Sequence, residues 1–139
     1  MKQLTTLLLA LVVAATASAQ SDSCKTALAA VNSSYDEQLK ALDSYTRINA
    51  IDREYRSLML GFYRSDRLFK IAEGCAKGIG DYRSCLAQAD AINRTYNQQL
   101  TALRGRRMDN QARMQRSDAI NEERNTKLRE LKASCNSGR

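Results

Sequence analysis

The chain has 139 residues, four cysteines, no proline and no histidine, and its formal net charge is +7. Without histidine it lacks the side chain that most often acts as a general base near neutral pH, and also the usual nitrogen ligand of zinc. A chain of this length is enough for one small domain.

The first nineteen residues are predicted to be a secretory signal peptide. Lys2 supplies a positive charge, Leu7 to Ala15 is an apolar run, and Ala17-Ser18-Ala19 is a small-residue cleavage site. The run is shorter than the roughly 20 residues of a membrane span, and no later segment is apolar enough to cross a membrane. We therefore expect cleavage before Gln20, which leaves residues 20–139 as a single all-α domain, secreted or periplasmic.

The rest of the chain is an internal duplication. An offset of 61 residues, shortened to 60 in the second half of each copy, superposes the two copies. A duplicated unit with a cysteine at each end describes an architecture rather than a reaction. The repeats are 24–75 and 85–135, joined by a linker over 76–84. The matched pairs include Cys24/Cys85, Asn32/Asn93, Tyr35/Tyr96, Arg53/Arg113, Arg64/Arg124, Leu68/Leu128 and Cys75/Cys135.

The first repeat predicts two helices, over 24–43 and 48–73. Their apolar residues recur at the three- and four-residue steps of one helix face. The two faces are out of phase between Tyr45 and Ile51, so a turn near 43–49 is favoured over one continuous helix. The first face consists of Leu28, Val31, Tyr35, Leu42 and Tyr45, and the second of Ile48, Ile51, Tyr55, Leu58, Phe62, Phe69 and Ala72.

The second repeat predicts helices over 84–104 and 111–134, separated at Gly105 and Asp109-Asn110. The predicted fold class is therefore all-α: two tandem antiparallel helical hairpins that pack as a small disulfide-stapled bundle. The last helix is weakly apolar. The apolar positions are Ala89, Ile92, Tyr96 and Leu103 in the third helix, and Met114, Ile120, Leu128 and Leu131 in the fourth.

Four cysteines in an exported chain indicate two disulfides. If each repeat is a hairpin, its ends meet and the bonds are Cys24–Cys75 and Cys85–Cys135. Each bond closes a loop of about 50 residues and removes roughly 4 kcal/mol of unfolded-state entropy. The rival is one long hairpin with bonds Cys24–Cys135 and Cys75–Cys85. The duplication suits both pairings, and the phase break favours the first.

No catalytic, metal or cofactor site is predicted. The sequence has no glycine-rich phosphate loop, no metalloprotease motif and no serine-hydrolase motif. The cysteines are not clustered as zinc ligands are, and no close C-x-x-C pair indicates redox chemistry. We therefore expect a non-enzymatic binding or structural protein of the cell envelope or the extracellular space.

An excess of arginine around the second predicted turn is the one feature that indicates a partner. Guanidinium groups suit carboxylates and phosphates, which makes these arginines candidates for contact with an anionic envelope component or an acidic protein. Nucleic acid is not expected outside the cell. The opposing interpretation is a solvated helix face whose arginines pair with Asp109 and Asp118. The candidates are Arg104, Arg106, Arg107, Arg113 and Arg116.

Residues 89–96, Ala-Asp-Ala-Ile-Asn-Arg-Thr-Tyr, resemble the Ala-Asp…Leu-Asn…Tyr signature of small secreted bacterial proteins of the lysozyme-inhibitor type. The Asp-to-Asn spacing is one residue shorter here, and the usual tryptophan is absent. The resemblance implies binding to lysozyme, although that basic enzyme would repel a basic chain.

In size, basicity and helix content the chain is also similar to small periplasmic chaperones, which implies a holdase that uses apolar surface left exposed by the sparse fourth helix.

Overall fold

The computed structural model describes the backbone of residues 2–75 and 82–136, and the side chains of 22–75 and 82–136. Its helices are α1 (Lys2–Ser44), α2 (Ala50–Glu73), α3 (Leu86–Arg104) and α4 (Asn110–Asn136). No strand occurs among these residues, so the predicted all-α class is confirmed. Among residues 22–75 and 82–136, whose side chains are described, no helix combines the length and apolar character of a membrane span.

α1 begins well before the predicted start at residue 24. No glycine or proline interrupts residues 2–44, so nothing in the sequence ends the helix there. The predicted signal peptide, residues 1–19, lies outside the described side chains. The first six residues of the predicted linker, 76–81, also lie outside the described part of the chain.

Each repeat forms a helical hairpin closed by its own disulfide. Cys24 bonds Cys75 with a Cα–Cα distance of 5.9 Å, and Cys85 bonds Cys135 with a Cα–Cα distance of 6.4 Å. The preferred pairing is confirmed, and the single long hairpin is excluded. Structural disulfides are typical of a non-reducing environment outside the cytosol.

The α1–α2 turn is held by an arginine from the second helix of its hairpin. Asn49 caps α2 by accepting the backbone N–H of Asp52 at 2.8 Å. The Arg53 guanidinium donates to the carbonyl oxygens of Asp43 at 2.7 Å and Tyr45 at 2.9 Å. These carbonyls lie at the end of a helix, where they lack intrahelical donors. Arg53 therefore ties the start of α2 to the end of α1.

The α3–α4 turn repeats this construction. Asp109 accepts the backbone N–H of Ala112 at 2.8 Å, as Asn49 does in the first turn. Arg113, the duplicate of Arg53, donates to the carbonyl oxygen of Arg106 at 3.3 Å. The duplication thus preserves the side chains that build each turn.

α2 is the central helix of the bundle. It contacts α1, α3 and α4, whereas α1 contacts neither α3 nor α4 among the described residues. Residues from three helices and the cysteine before α3 form the core, so burial of apolar surface joins the two hairpins. The core cluster consists of Leu58, Met59, Phe62, Cys85, Ala89 and Leu128.

Two apolar positions of the predicted helices are exposed. Tyr45 has 49% of its surface exposed and Met114 has 67%. Tyr45 lies in the turn, just after α1 ends at Ser44, so no facing helix covers it. Met114 precedes Arg124, the first residue of α4 with a hydrogen bond, ion pair or ring contact to α2. Helical periodicity assigned both to an apolar face, but it carries no information on how far the neighbouring helix extends.

Polar side chains also join the two hairpins. Asn125, fully buried, donates to the carbonyl oxygen of Ile51 at 2.9 Å, and Arg129 forms an ion pair with Glu54. Arg124 is only 5% exposed and lies over the Tyr55 ring, with its guanidinium carbon 3.7 Å from the ring centre. Burial lowers the pKa of Arg124 and raises the pKa of Tyr55 from their ordinary values.

The two hairpins are staggered along their length. Contacts between α4 and α2 through hydrogen bonds, ion pairs and rings begin at Arg124 and Asn125, which meet the first residues of α2 at Ile51 and Tyr55. α4 itself begins at Asn110. At 1.5 Å per residue, the preceding part of α4 extends about 20 Å beyond the start of α2. The far end of the α3–α4 hairpin therefore projects past the first hairpin.

Candidate anion-binding surface

The projecting end of the second hairpin carries all five arginines singled out from the sequence. We call residues 97–121 the basic tip. It comprises the end of α3, the turn at 105–109 and the start of α4. Five arginines and two aspartates, Asp109 and Asp118, give it a formal charge of +3. Positive charge is thus concentrated where the hairpin is most accessible.

Four of the arginines are exposed and have no acidic partner. Arg104, Arg106, Arg107 and Arg116 are all exposed. None of them forms an ion pair within the described ranges 22–75 and 82–136. The pairing with Asp109 and Asp118 that would neutralise them is not formed. Their charges therefore face solvent uncompensated.

Arg113 has a different role from the other four. It is half-buried and donates to the carbonyl oxygens of Arg106 at 3.3 Å and Met108 at 3.4 Å. These bonds hold the turn that presents the exposed arginines. Arg113 is therefore a positioning residue rather than a contact residue. The sequence feature that indicates this role is the match of Arg113 to Arg53 in the duplication, because Arg53 holds the first turn in the same way.

Two grooves at the tip are lined by different arginines. Arg106 and Arg116 line a groove of about 380 Å³ with Ile120 in its wall. Arg104 lines a second groove of about 550 Å³, which also contains Met114. Arg107 lines neither groove and lies in the turn itself. The structure thus places cationic heads around apolar surface in two grooves at one hairpin end.

Met114 is the residue of this surface whose role the sequence analysis missed. It was predicted only as an apolar position of the fourth helix, whereas in the structure it is 67% exposed and shares a groove with Arg104 and Arg113. An exposed apolar side chain beside arginines suits the boundary between anionic headgroups and acyl chains. Its position between Arg113 and Arg116 in the sequence is the feature that could have indicated that Met114 belongs to the basic surface.

No other cluster of reactive groups was found in the described part of the chain. All four cysteines are in disulfides. No three acidic or cysteine side chains are grouped to hold a metal among these residues. Burial, and a hydroxyl that donates to Glu123 at 3.0 Å, raise the pKa of Tyr96. That shift favours the neutral phenol, so Tyr96 acts as a buried structural donor.

Comparison with known proteins identifies no relative. No family model, curated protein or solved structure matches the chain. The segment that resembles lysozyme inhibitors supplies core residues in this fold: Ala89, Asn93 and Tyr96 are all buried.

Proposed function

We propose that this chain is an exported, non-enzymatic binding protein that attaches to an anionic surface of the cell envelope through its basic tip. One observation carries the proposal: four exposed arginines without acidic partners lie at the end of a hairpin whose last helix extends about 20 Å beyond the start of α2. Two disulfides support export. The signal-like segment over 1–19 supports it independently.

The magnitude of the attraction is sufficient for reversible attachment. A basic residue held near an anionic membrane surface contributes about 1 kcal/mol. Three or four arginines at the tip therefore supply about 3–4 kcal/mol, and insertion of Met114 adds apolar contact. The attraction depends on salt because the Debye length is only about 8 Å at physiological ionic strength. We expect binding in low salt that weakens steeply as salt is added.

The test is sedimentation with vesicles of phosphatidylcholine alone and of phosphatidylcholine with 30% phosphatidylglycerol. Replacing Arg104, Arg106 and Arg107 with glutamine should weaken binding to the anionic vesicles by about 100-fold, from roughly 1 kcal/mol per charge. It should also flatten the salt dependence.

The matched control replaces Arg47, Arg56 and Arg67 with glutamine. These residues are exposed, belong to the first hairpin and form no ion pair in the described structure. The control removes the same net charge and should bind nearly as well as the parent chain. Equal losses in the two variants would reject the tip as the contact surface and leave only net charge.

A chaperone-like holdase is the alternative, and one observation favours it. α1 and α2 border a groove of about 460 Å³ lined by Leu42, Met59, Leu60 and the 45%-exposed Tyr63. This groove lies on the first hairpin, not beside α4 as the sequence analysis expected. A holdase would suppress aggregation of an unfolded client independently of salt. That result, together with no preference for anionic vesicles, would favour this alternative.

A further inference from the structure

A second cationic feature lies near the disulfide end of the bundle, away from the basic tip. α1 and α4 both pack on α2 but do not contact each other in the described structure, and the gap between them is a cleft of about 450 Å³. Small-molecule sites usually have volumes of about 300–1,000 Å³. The cleft is therefore large enough for a small organic ligand.

The floor of the cleft is a face of α2 with unusually small side chains. Ser57, Gly61 and Ser65 follow one another at four-residue steps and all line the cleft. Glycine in a helix interior weakens the helix relative to alanine. A Cβ atom at Gly61 would lie 3.6 Å from Nζ of Lys132, an ordinary contact. No clash therefore requires glycine here, and its effect is to leave the floor open.

Three basic side chains line the cleft, and no acidic side chain does so in the described structure. Arg64 is already engaged: it pairs with Asp36 at 2.9 Å and donates to the side-chain oxygen of Asn32 at 2.8 Å. Arg83 and Lys132 form no ion pair among the described residues. Two positive charges without an ion-pair partner in the described structure therefore line a cleft with hydroxyl groups in its floor.

We propose that this cleft binds a small organic anion with an apolar body. Its phosphate or carboxylate head would contact Arg83 and Lys132, since guanidinium and ammonium groups both form strong charge-assisted hydrogen bonds with such anions. Its apolar part would lie against Leu39 and Leu68, which also line the cleft. The site is separate from the basic tip and does not depend on the function proposed for it.

The experiment is a titration of the ¹⁵N-labelled chain with 1-naphthyl phosphate and 1-naphthoate, followed by NMR, with neutral 1-naphthol as reference. We expect saturable binding of at least one anion, with the largest amide shifts at Gly61, Ser65 and Tyr82. Naphthol should bind at least tenfold more weakly. Chains with Arg83→Gln and Lys132→Gln together should also lose at least tenfold in affinity.

Two further variants separate the site from net charge and from misfolding. Lys40→Gln with Arg67→Gln removes two exposed charges outside the cleft and should leave affinity nearly unchanged. Gly61→Leu fills the floor without a helix-breaking residue and should abolish binding while circular dichroism stays helical. Equal binding of naphthol, shifts confined to the basic tip, or full affinity in the Gly61→Leu chain would each overturn the proposal.

Discussion

The contact between Arg124 and Tyr55 gives the sharpest test of how the two hairpins are joined. Arg124 is 5% exposed, forms no ion pair in the described structure, and has its guanidinium carbon 3.7 Å from the centre of the Tyr55 ring. A cation–π contact contributes about 0.5–1 kcal/mol when exposed and about 2 kcal/mol when desolvated. Because Arg124 is buried, we expect the contribution of this contact to lie near the upper value of about 2 kcal/mol.

The two single substitutions should have unequal effects. Tyr55→Leu removes the ring and leaves a buried guanidinium without a partner, so we expect a loss of about 3 kcal/mol in the free energy of unfolding. Arg124→Met removes the charge together with its desolvation cost and keeps apolar volume, so the loss should be about 1 kcal/mol. The doubly substituted chain should lose less than the sum, with a coupling energy of about 1–2 kcal/mol.

The assay is urea unfolding of the four chains at 25 °C with the disulfides intact, which gives a double-mutant cycle. The slope of unfolding free energy against urea should be the same in all four chains. A coupling energy below about 0.5 kcal/mol is what independent sites show. That result, or a larger loss from Arg124→Met than from Tyr55→Leu, would refute the role assigned to this contact.

Three further predictions concern stability, each measured by urea or acid unfolding. Arg53→Ala should lower the free energy of unfolding by about 2 kcal/mol, because it leaves carbonyl oxygens without their charge-assisted hydrogen bonds. Arg113→Ala should lower it less, because the hydrogen bonds of Arg113 are longer. Equal small losses in the two variants would contradict the role of these arginines in holding the turns. Gly61→Ala should stabilise the chain by about 0.5–1 kcal/mol through helix propensity, and a loss would mean that the floor cannot accept a methyl group. The hydrogen bond from Lys70 lowers the pKa of Asp66 below its ordinary 3.8. The stabilisation that the ionised Asp66 contributes is therefore present above that pH and disappears as pH falls through the native-state pKa. Asp66→Asn should flatten the acid side of the curve of unfolding free energy against pH, and an unchanged curve would contradict this.

Local signals in the sequence were enough to predict the helices and the disulfide pairing. The phase break between Tyr45 and Ile51 correctly indicated a turn, and a turn brings Cys24 to Cys75. These features depend on helical periodicity and on the geometry of a single hairpin. Both are encoded within one repeat.

The relative position of the two hairpins could not be predicted in this way. Periodicity predicts the apolar face of a helix but not the length over which a neighbouring helix covers it, so it did not indicate that Met114 is exposed. The stagger depends on packing between repeats, around Leu128 and Asn125. An apolar pattern that both repeats share cannot predict a packing contact made by a residue of one repeat but not by its duplicate in the other.

Differences between the repeats held part of the missing information. Arg64 pairs with Asp36 inside its own hairpin, whereas its duplicate Arg124 has Asn97 at the position matching Asp36. Without that carboxylate, Arg124 is directed to Tyr55 of the other hairpin. The same duplication identified Arg113 as a turn residue once the role of Arg53 was known. The positions at which the two repeats differ could therefore have helped to predict how the hairpins pack.

The basic tip and the cleft both depend on two hairpins that are each closed by their own disulfide. A tryptic map of the non-reduced protein tests this directly, because cleavage after Lys25, Lys77 and Arg94 separates the four cysteines into four peptides. We expect residues 71–77 linked to the peptide that ends at Lys25, and residues 84–94 linked to residues 133–139. Residues 71–77 linked to residues 84–94, or any free thiol in the purified protein, would contradict this pairing.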